Sequence, residues 1–319
     1  MAIDKLGAVG ENLLVAVGYG DSAGLPAETL TPEQIQDKFG RLSGLIPIDN
    51  KFMGKHPIGR WSDDTKLSLA IAEALIDSEG FNMKAIATNH VGALRDPVNR
   101  GWGSSTRKSI KRLRKDGSWR TSGSQEGEGN GVLMKLSPLA LWQTVKQPVA
   151  ADNQVEAIAR MTHANTLSVV TALVHRDILG ALLMGYLEPA DVPQAGAAQA
   201  EMYEQHLGEP SQVTSGLLGR LALDRRITDR TIADLTPKAG FWSPETLVMA
   251  YGAFARTPHY PDNIYDVINL GGDTDSTGSI VGAMSAMHQG DLEHPADVAQ
   301  LEQVDYLRKV GQELVAMLS

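Results

Sequence analysis

The chain has 319 residues, is 42% hydrophobic, and carries a net charge of −9 with a pI of about 5.4. It has no cysteine, which excludes disulfides, thiolate metal sites and cysteine nucleophiles, and with eight histidines disfavours a tetrahedral zinc site. The acidic balance excludes a chain built as a whole to attract nucleic acid or an anionic membrane.

The N-terminal stretch MAIDKLGAVGENLLVAVGYG holds only a short apolar run, with Asp4 and Glu11 upstream. It fits neither a signal peptide nor a membrane span, so a soluble cytoplasmic protein is expected. Residues 4–17 predict an amphipathic helix stopped by Gly18 and Gly20, with GYGDSAGLPAE following as a loop. Residues 32–43 predict a short helix with Thr31 or Thr29 near its start. FMGKHPIGR reads as a Gly/Pro-punctuated loop. SDDTKLSLAIAEALIDSEG is the strongest helix signal: Leu67, Ile71, Ala74 and Leu75 recur at helical spacing, Ser62 can cap it and Gly80 can end it. Residues 82–94 predict another helix.

DPVNRGWGSST reads as a turn-rich loop, STRKSIKRLRKDG as a basic helix, and SWRTSGSQEGEGNG as a polar surface loop. The apolar pattern resumes over 132–144. Residues 154–187 predict continuous helix, and 196–235, 244–256, SIVGAMSAMHQG and 297–318 add more. Period-two runs of Val, Ile and Thr are missing. Length alone suits two domains or one large one. Without linkers or repeats, the predicted fold is all-α, one large helical bundle over residues 1–319.

Two segments place acids at the start of an apolar helix, WSDDTKLSLA and GGDTDSTGSI. Each alone reads as capping, with Ser62 as cap and first-turn aspartates meeting the helix dipole. Asp21 and Glu28 stand in a third segment. If these loops converge, Glu28, Asp63, Asp64, Asp273 and Asp275 crowd together and their pKa values rise. One or two divalent cations remove that penalty. Oxygen-only ligands, helped by the Ser62 and Ser276 hydroxyls, suit Mg²⁺ or Mn²⁺ better than Zn²⁺. Spacing alone leaves both readings open. His163 by itself reads as a helix-terminal histidine satisfied by backbone. RKSIKRLRK, residues 107–115, has six basic residues in nine. It reads as a solvated helix face with Ile110 and Leu113 buried, or as a dock for an acidic protein or nucleic acid. GYGDSAG follows a helix rather than a strand, so it is not read as a dinucleotide loop.

In family order, GDSAGLPAE (20–28), WSDDTKLSLA (61–70), RGWGSST (100–106), EGNGVLMKLSPLA (128–140), MTHANTLSVVTAL (161–173) and NLGGDTDSTGSIVGA (269–283) resemble the motifs of the ADP-ribosylglycohydrolases. That family includes the dinitrogenase-reductase-activating glycohydrolases, the ADP-ribosyl-arginine and ADP-ribosyl-serine hydrolases, and the J1 crystallins. The resemblance spans nearly the whole chain. It implies an orthogonal all-α bundle with a dinuclear cleft for two divalent cations, Mg²⁺ (or Mn²⁺). The implied metal ligands are Ser62, Asp63, Asp64, Asp273, Asp275 and Ser276. Glu28 and Asp63 are the implied catalytic residues. The implied substrate contacts are Asp21, Gly101, Trp102, Gly103, Ser104, Ser105, Gly129, Asn130, Gly131, Met134 and His163. The family pattern usually has threonine where Ser62 and Ser276 stand, and arginine where Lys135 stands. RGWGSST lacks the acid some members carry there; the nearest is Asp96, a departure from the nitrogenase-type pattern.

The resemblance implies a metal-dependent hydrolase that frees ADP-ribose from a modified acceptor, with a protein arginine favoured. Alternatives are a nucleic-acid or small-molecule conjugate, or a catalytically silent crystallin-like protein. The expected partners are the ADP-ribosylated substrate and the ADP-ribose product, with no membrane, nucleic acid only through helix 107–115, and a monomeric state.

Overall fold

A computed structural model describes residues 3–318, with side chains from residue 5 onward. The first half of the chain forms α1 (Ile3–Gly24), α2 (Pro32–Phe39), a small hairpin of β1 (Ile48–Asn50) and β2 (Gly54–His56), α3 (Asp63–Asp77), α4 (Met83–Ala93), α5 (Ser104–Asp116), α6 (Trp119–Ser122), α7 (Ser137–Lys146) and α8 (Ala151–Thr162). The second half forms α9 (Thr166–Met184), α10 (Val192–Leu207), α11 (Val213–Ala222), α12 (Asp229–Leu235), α13 (Ser243–Arg256), α14 (Asp262–Ile268), α15 (Thr274–Gln289) and α16 (Val304–Ala316). The all-α expectation holds. One contiguous core draws on residues from Val9 to Leu318. α9 is long and apolar enough to cross a membrane by composition, yet 78% of its apolar window is buried against other helices. It is a core helix.

α1 is where local pattern misleads most. Gly18 and Gly20 do not stop it; it runs to Gly24 and carries Asp21 within it. Glycine costs about 1 kcal/mol inside a helix, so packing must favour it here. A Cβ on Gly20 would sit 2.1 Å from the Gly278 carbonyl oxygen, and one on Gly24 would sit 2.2 Å from that of Thr274. α1 and α15 therefore cross backbone to backbone at the end that carries the acids. Gly24→Ala is expected to destabilise the protein by about 1–3 kcal/mol, because the backbone it meets cannot rotate away as a side chain could. Chemical denaturation measures this; an unchanged midpoint would contradict the close crossing.

Other differences have local causes. The 154–187 helix breaks at His163–Asn165, where Asn165 caps α9 by accepting from the Ser168 amide at 2.8 Å. The loop FMGKHPIGR contributes to a hairpin, registered Ile48↔His56 and Asn50↔Gly54, too short to show period two. The stretch 118–131 is not simply a surface loop: Gly127, Asn130 and Gly131 are buried. α14 has no counterpart among the predicted helices. α2 starts as expected, with Thr31 and Gln34 forming a capping box.

Candidate active site

The Gly-Gly pair explains how the second acidic segment is delivered. Gly271 and Gly272 have φ of 75° and 79°, a region open to glycine. A Cβ on Gly272 would lie 2.0 Å from the Ala239 carbonyl oxygen, and one on Gly271 would lie 2.5 Å from that of Leu30. The pair threads between these two backbones, with the Gly272 amide donating to Leu30 at 2.9 Å and the Asp273 amide to Ala239 at 3.0 Å. α15 then begins, and its first turn presents Asp273, Asp275 and Ser276. Thr274 turns away and donates to the Gly24 carbonyl at 2.7 Å, tying α15 to α1.

α3 opens in the same manner. The Ser62 hydroxyl accepts from the Asp64 amide at 3.1 Å. Asp21 clasps this helix start from α1: its carboxylate accepts from the Ser62 amide at 3.0 Å, the Thr65 amide at 3.1 Å and the Thr65 hydroxyl at 2.6 Å. Asp21 is fully buried and its oxygens are taken. It does not line the cleft, so the substrate contact implied for it gives way to a positioning role: satisfying the orphan donors of α3. Ser62 also stands behind the cleft wall rather than in it, because its side chain faces its own helix amides.

The remaining expected residues line one cleft of about 620 Å³. Glu28, at the end of the turn after α1, accepts from Asn50 at 3.1 Å through Oε2, and among the described residues Oε1 accepts no hydrogen bond. The 100–103 loop is pinned by the Asp63 amide donating to the Arg100 carbonyl at 2.8 Å. Arg100 stacks on Trp61 at 3.7 Å and pairs with Glu302 at 2.7 Å. The 127–131 loop is held by the Ser168 hydroxyl donating to Gly127 at 3.1 Å and by Asn130 donating to Asp273 at 2.8 Å. His163 closes that side, with Nδ1 3.0 Å from the Thr162 hydroxyl, which also accepts from the Lys135 ammonium at 3.0 Å.

The electrostatics are one-sided. Burial pushes Asp63 up to about 7, with the Asp21 charge adding. Burial pushes Asp21 up to about 6 against its hydrogen bonds. Glu28 rises to about 9, from burial first and then the charges of Asp273 and Asp63. Burial also raises Asp64, Asp273 and Asp275, and neighbouring carboxylates press on Asp64 and Asp275. Burial pushes Lys135 down to about 7 and His163 down to about 3, so His163 faces the cleft as neutral imidazole.

Among the described residues no three His, Asp or Glu side chains form a ready-made cation cage. The donor set nonetheless fits a hard divalent ion. Among the described residues no donor group reaches the buried Asp275 Oδ1. Such an orphan oxygen among mutually repelling carboxylates is stabilised by a cation and by little else. Two cleft residues carry no sequence motif: Phe52 and Phe241, both exposed rings. Arg107, Lys108 and Lys111 also line it, so the basic stretch is more than a solvated face.

The all-α fold brings acids from two helix starts against a glycine-rich loop in one cleft. The sequence matches the ADP-ribosylglycohydrolase family over residues 11–319, and the chain belongs to that family of hydrolases. It is 24% identical to the ADP-ribosyl-[dinitrogen reductase] glycohydrolase of Rhodospirillum rubrum, over 98% of this chain and 95% of that one. It is 23% identical to an ADP-ribosylarginine hydrolase of Pseudomonas putida, over 90% of this chain and 80% of that one. A solved structure described as an ADP-ribosylglycohydrolase-related protein complex shares the fold with a TM-score of 0.72, at 22% identity, covering 99% of both chains.

Proposed function

We propose that this cleft hydrolyses the bond between the anomeric carbon of the distal ribose of ADP-ribose and a protein arginine, with two divalent cations, Mg²⁺ or Mn²⁺, bound. The observation that carries this reading is the meeting of Glu28, Asp63, Asp64, Asp273 and Asp275 on one wall, with Asp275 Oδ1 unpartnered. The two named relatives support the ADP-ribosyl linkage, and one of them supports arginine as acceptor.

In this reading Asp63, Asp64, Asp273 and Asp275 hold the cations, with the Ser276 hydroxyl beside them and Ser62 supporting from behind. When bound, the cations supply charge that orients the ribose hydroxyls and a water. Glu28 is ionised once bound cations offset the charges of Asp273 and Asp63 that help push it up to about 9, and it then takes a proton from that water as the water oxygen bonds the anomeric carbon. The carbon–nitrogen bond breaks, its electron pair stays on the guanidine nitrogen, and Glu28 returns the proton to that nitrogen. Asn50 holds Glu28 in place for this transfer. The first amides of α5, at Ser104–Thr106, have no side-chain cap and suit the diphosphate, with Arg107 adjacent. Phe241, an exposed ring in the cleft lining, offers an apolar wall for adenine.

Glu28→Gln tests the assignment. It keeps the shape and the Asn50 contact but cannot accept the proton. Turnover of ADP-ribosyl-arginine should fall by about 10²–10⁴-fold, while calorimetric affinity for Mg²⁺ and ADP-ribose stays within a few-fold. A chelator should stop wild-type turnover. Full activity of Glu28→Gln, or chelator-resistant release, would remove the proposal.

A further inference from the structure

A second depression, of about 520 Å³, opens beside the cleft and shares Phe52, Trp102, Arg107 and Lys111 with it. Its wall adds Lys51, from the turn between β1 and β2, and Arg114. Lys51, Arg107, Lys111 and Arg114 are all exposed. The three on α5 recur at i, i+4 and i+7, one helix face extending about 10 Å along the axis. Among the described residues Arg107, Lys111 and Arg114 form no ion pair with a carboxylate, while the Lys51 charge acts on Glu28 across the cleft. The one acid in this wall, Asp96, is already paired with Lys66 at 3.3 Å and Arg100 at 3.1 Å.

Three unpaired cations of α5 thus gather beside Lys51 on a chain of net charge −9. Like charges held this close repel, and an arriving anion relieves them. A diphosphate at the start of α5 engages Arg107. Lys111, one turn further along, borders both the cleft and the depression, and Arg114, two turns along, lines the depression alone.

We infer that this depression docks an acidic segment of the modified protein, next to the ADP-ribosylated residue, and so selects acceptors by their surroundings. The inference names the acceptor class of the hydrolase proposed above and rests on that reading. Two observations favour an acidic peptide over single-stranded nucleic acid, which uses free aromatic faces for base stacking. The Phe52 ring is covered by the Lys51 ammonium, 4.9 Å from its centroid. Trp102 is half-buried against Leu67, Ala93, Ile110 and Met134. A span of about 10 Å also matches three residues of extended peptide.

The test uses the full chain with arginine-ADP-ribosylated peptides flanked by glutamates, serines or lysines, and free ADP-ribosyl-arginine as reference. The glutamate peptide should exceed the serine peptide in kcat/KM by about tenfold at low salt. The lysine peptide should fall below both. The preference should collapse near 1 M salt, where the Debye length is about 3 Å. Arg114→Glu should remove the preference and leave turnover of free ADP-ribosyl-arginine unchanged, because Arg114 lies outside the cleft wall. Equal rates for the three peptides, a preference that survives Arg114→Glu, or stronger competition from a single-stranded oligonucleotide than from a glutamate-rich peptide would each overturn the inference. If free ADP-ribosyl-arginine is not turned over, the hydrolase reading fails instead. Calorimetry of an unmodified glutamate-rich peptide, binding wild type but not Arg114→Glu, then decides the docking surface on its own.

Discussion

Asp275→Ala is expected to lose divalent-metal affinity by more than about 100-fold, and ADP-ribose release with it, while the metal-free variant melts at or above wild type. The two halves share one cause. Asp275 is 6% exposed, its Oδ1 has no partner, and Glu28, Asp273 and Asp64 press on it. Without a cation, that buried oxygen costs the fold about 1–3 kcal/mol. Removing it relieves the cost, and a gain of about 1 kcal/mol raises Tm by about 1.5 °C in a chain of this length. With a cation the same oxygen becomes a ligand, and its loss weakens binding. Calorimetric Mg²⁺ and Mn²⁺ titrations with melts in chelator measure both halves. Undiminished hydrolysis would sink the site, and a metal-free variant melting well below wild type would show Asp275 to be a structural group instead.

The second large effect is in pH. The rise in Tm produced by divalent cation is expected to grow from about pH 5 to about pH 9, with affinity tightening up to about tenfold per pH unit for each proton released. The sign follows from the raised values. Asp21 at about 6, Asp63 at about 7 and Glu28 at about 9 all lie above their unfolded values near 4. Between 4 and those values the metal-free folded state holds more protons than the unfolded one, so stability falls as pH rises. The contribution is fully present below about pH 4 and is lost as pH passes each folded value. His163, lowered to about 3, and Lys135, lowered to about 7, work in the opposite sense across 3–6.5 and 7–10.5. Subtracting the metal-free melt from the loaded one cancels most of their effect. A cation-induced gain that stays flat or shrinks with pH would mean that the ions do not displace protons from these carboxylates.

Much of the site is legible because its chemistry is local. SDDT and GGDTDST each place hydroxyl and carboxylate residues within one turn of a helix start, and capping physics fixes which way the backbone amides point. The α3 boundaries follow from Ser62 and the apolar spacing alone. Asp21 shows the limit. Read locally, GYGDSAG is a glycine-rich loop whose aspartate is free to meet substrate. Its helical state and its clasp on Ser62 and Thr65 depend on α15 lying against α1, a contact between residues about 250 positions apart. Phe52 and Phe241 were invisible for a related reason: isolated aromatic residues between motifs carry no period, and only the folded loops bring them to the cleft.

The sequence by itself therefore determined the helical class and the family motifs, because these depend on residue type and short spacing. The tertiary structure alone decided that Glu28, the α3 acids and the α15 acids share one wall, that Asp21 and Ser62 stand behind it, and that the basic face of α5 borders it. The reason is steric. Gly20, Gly24, Gly271, Gly272 and Gly278 have no side chain to declare a role, and their value lies in the backbones that can approach where a Cβ would stand.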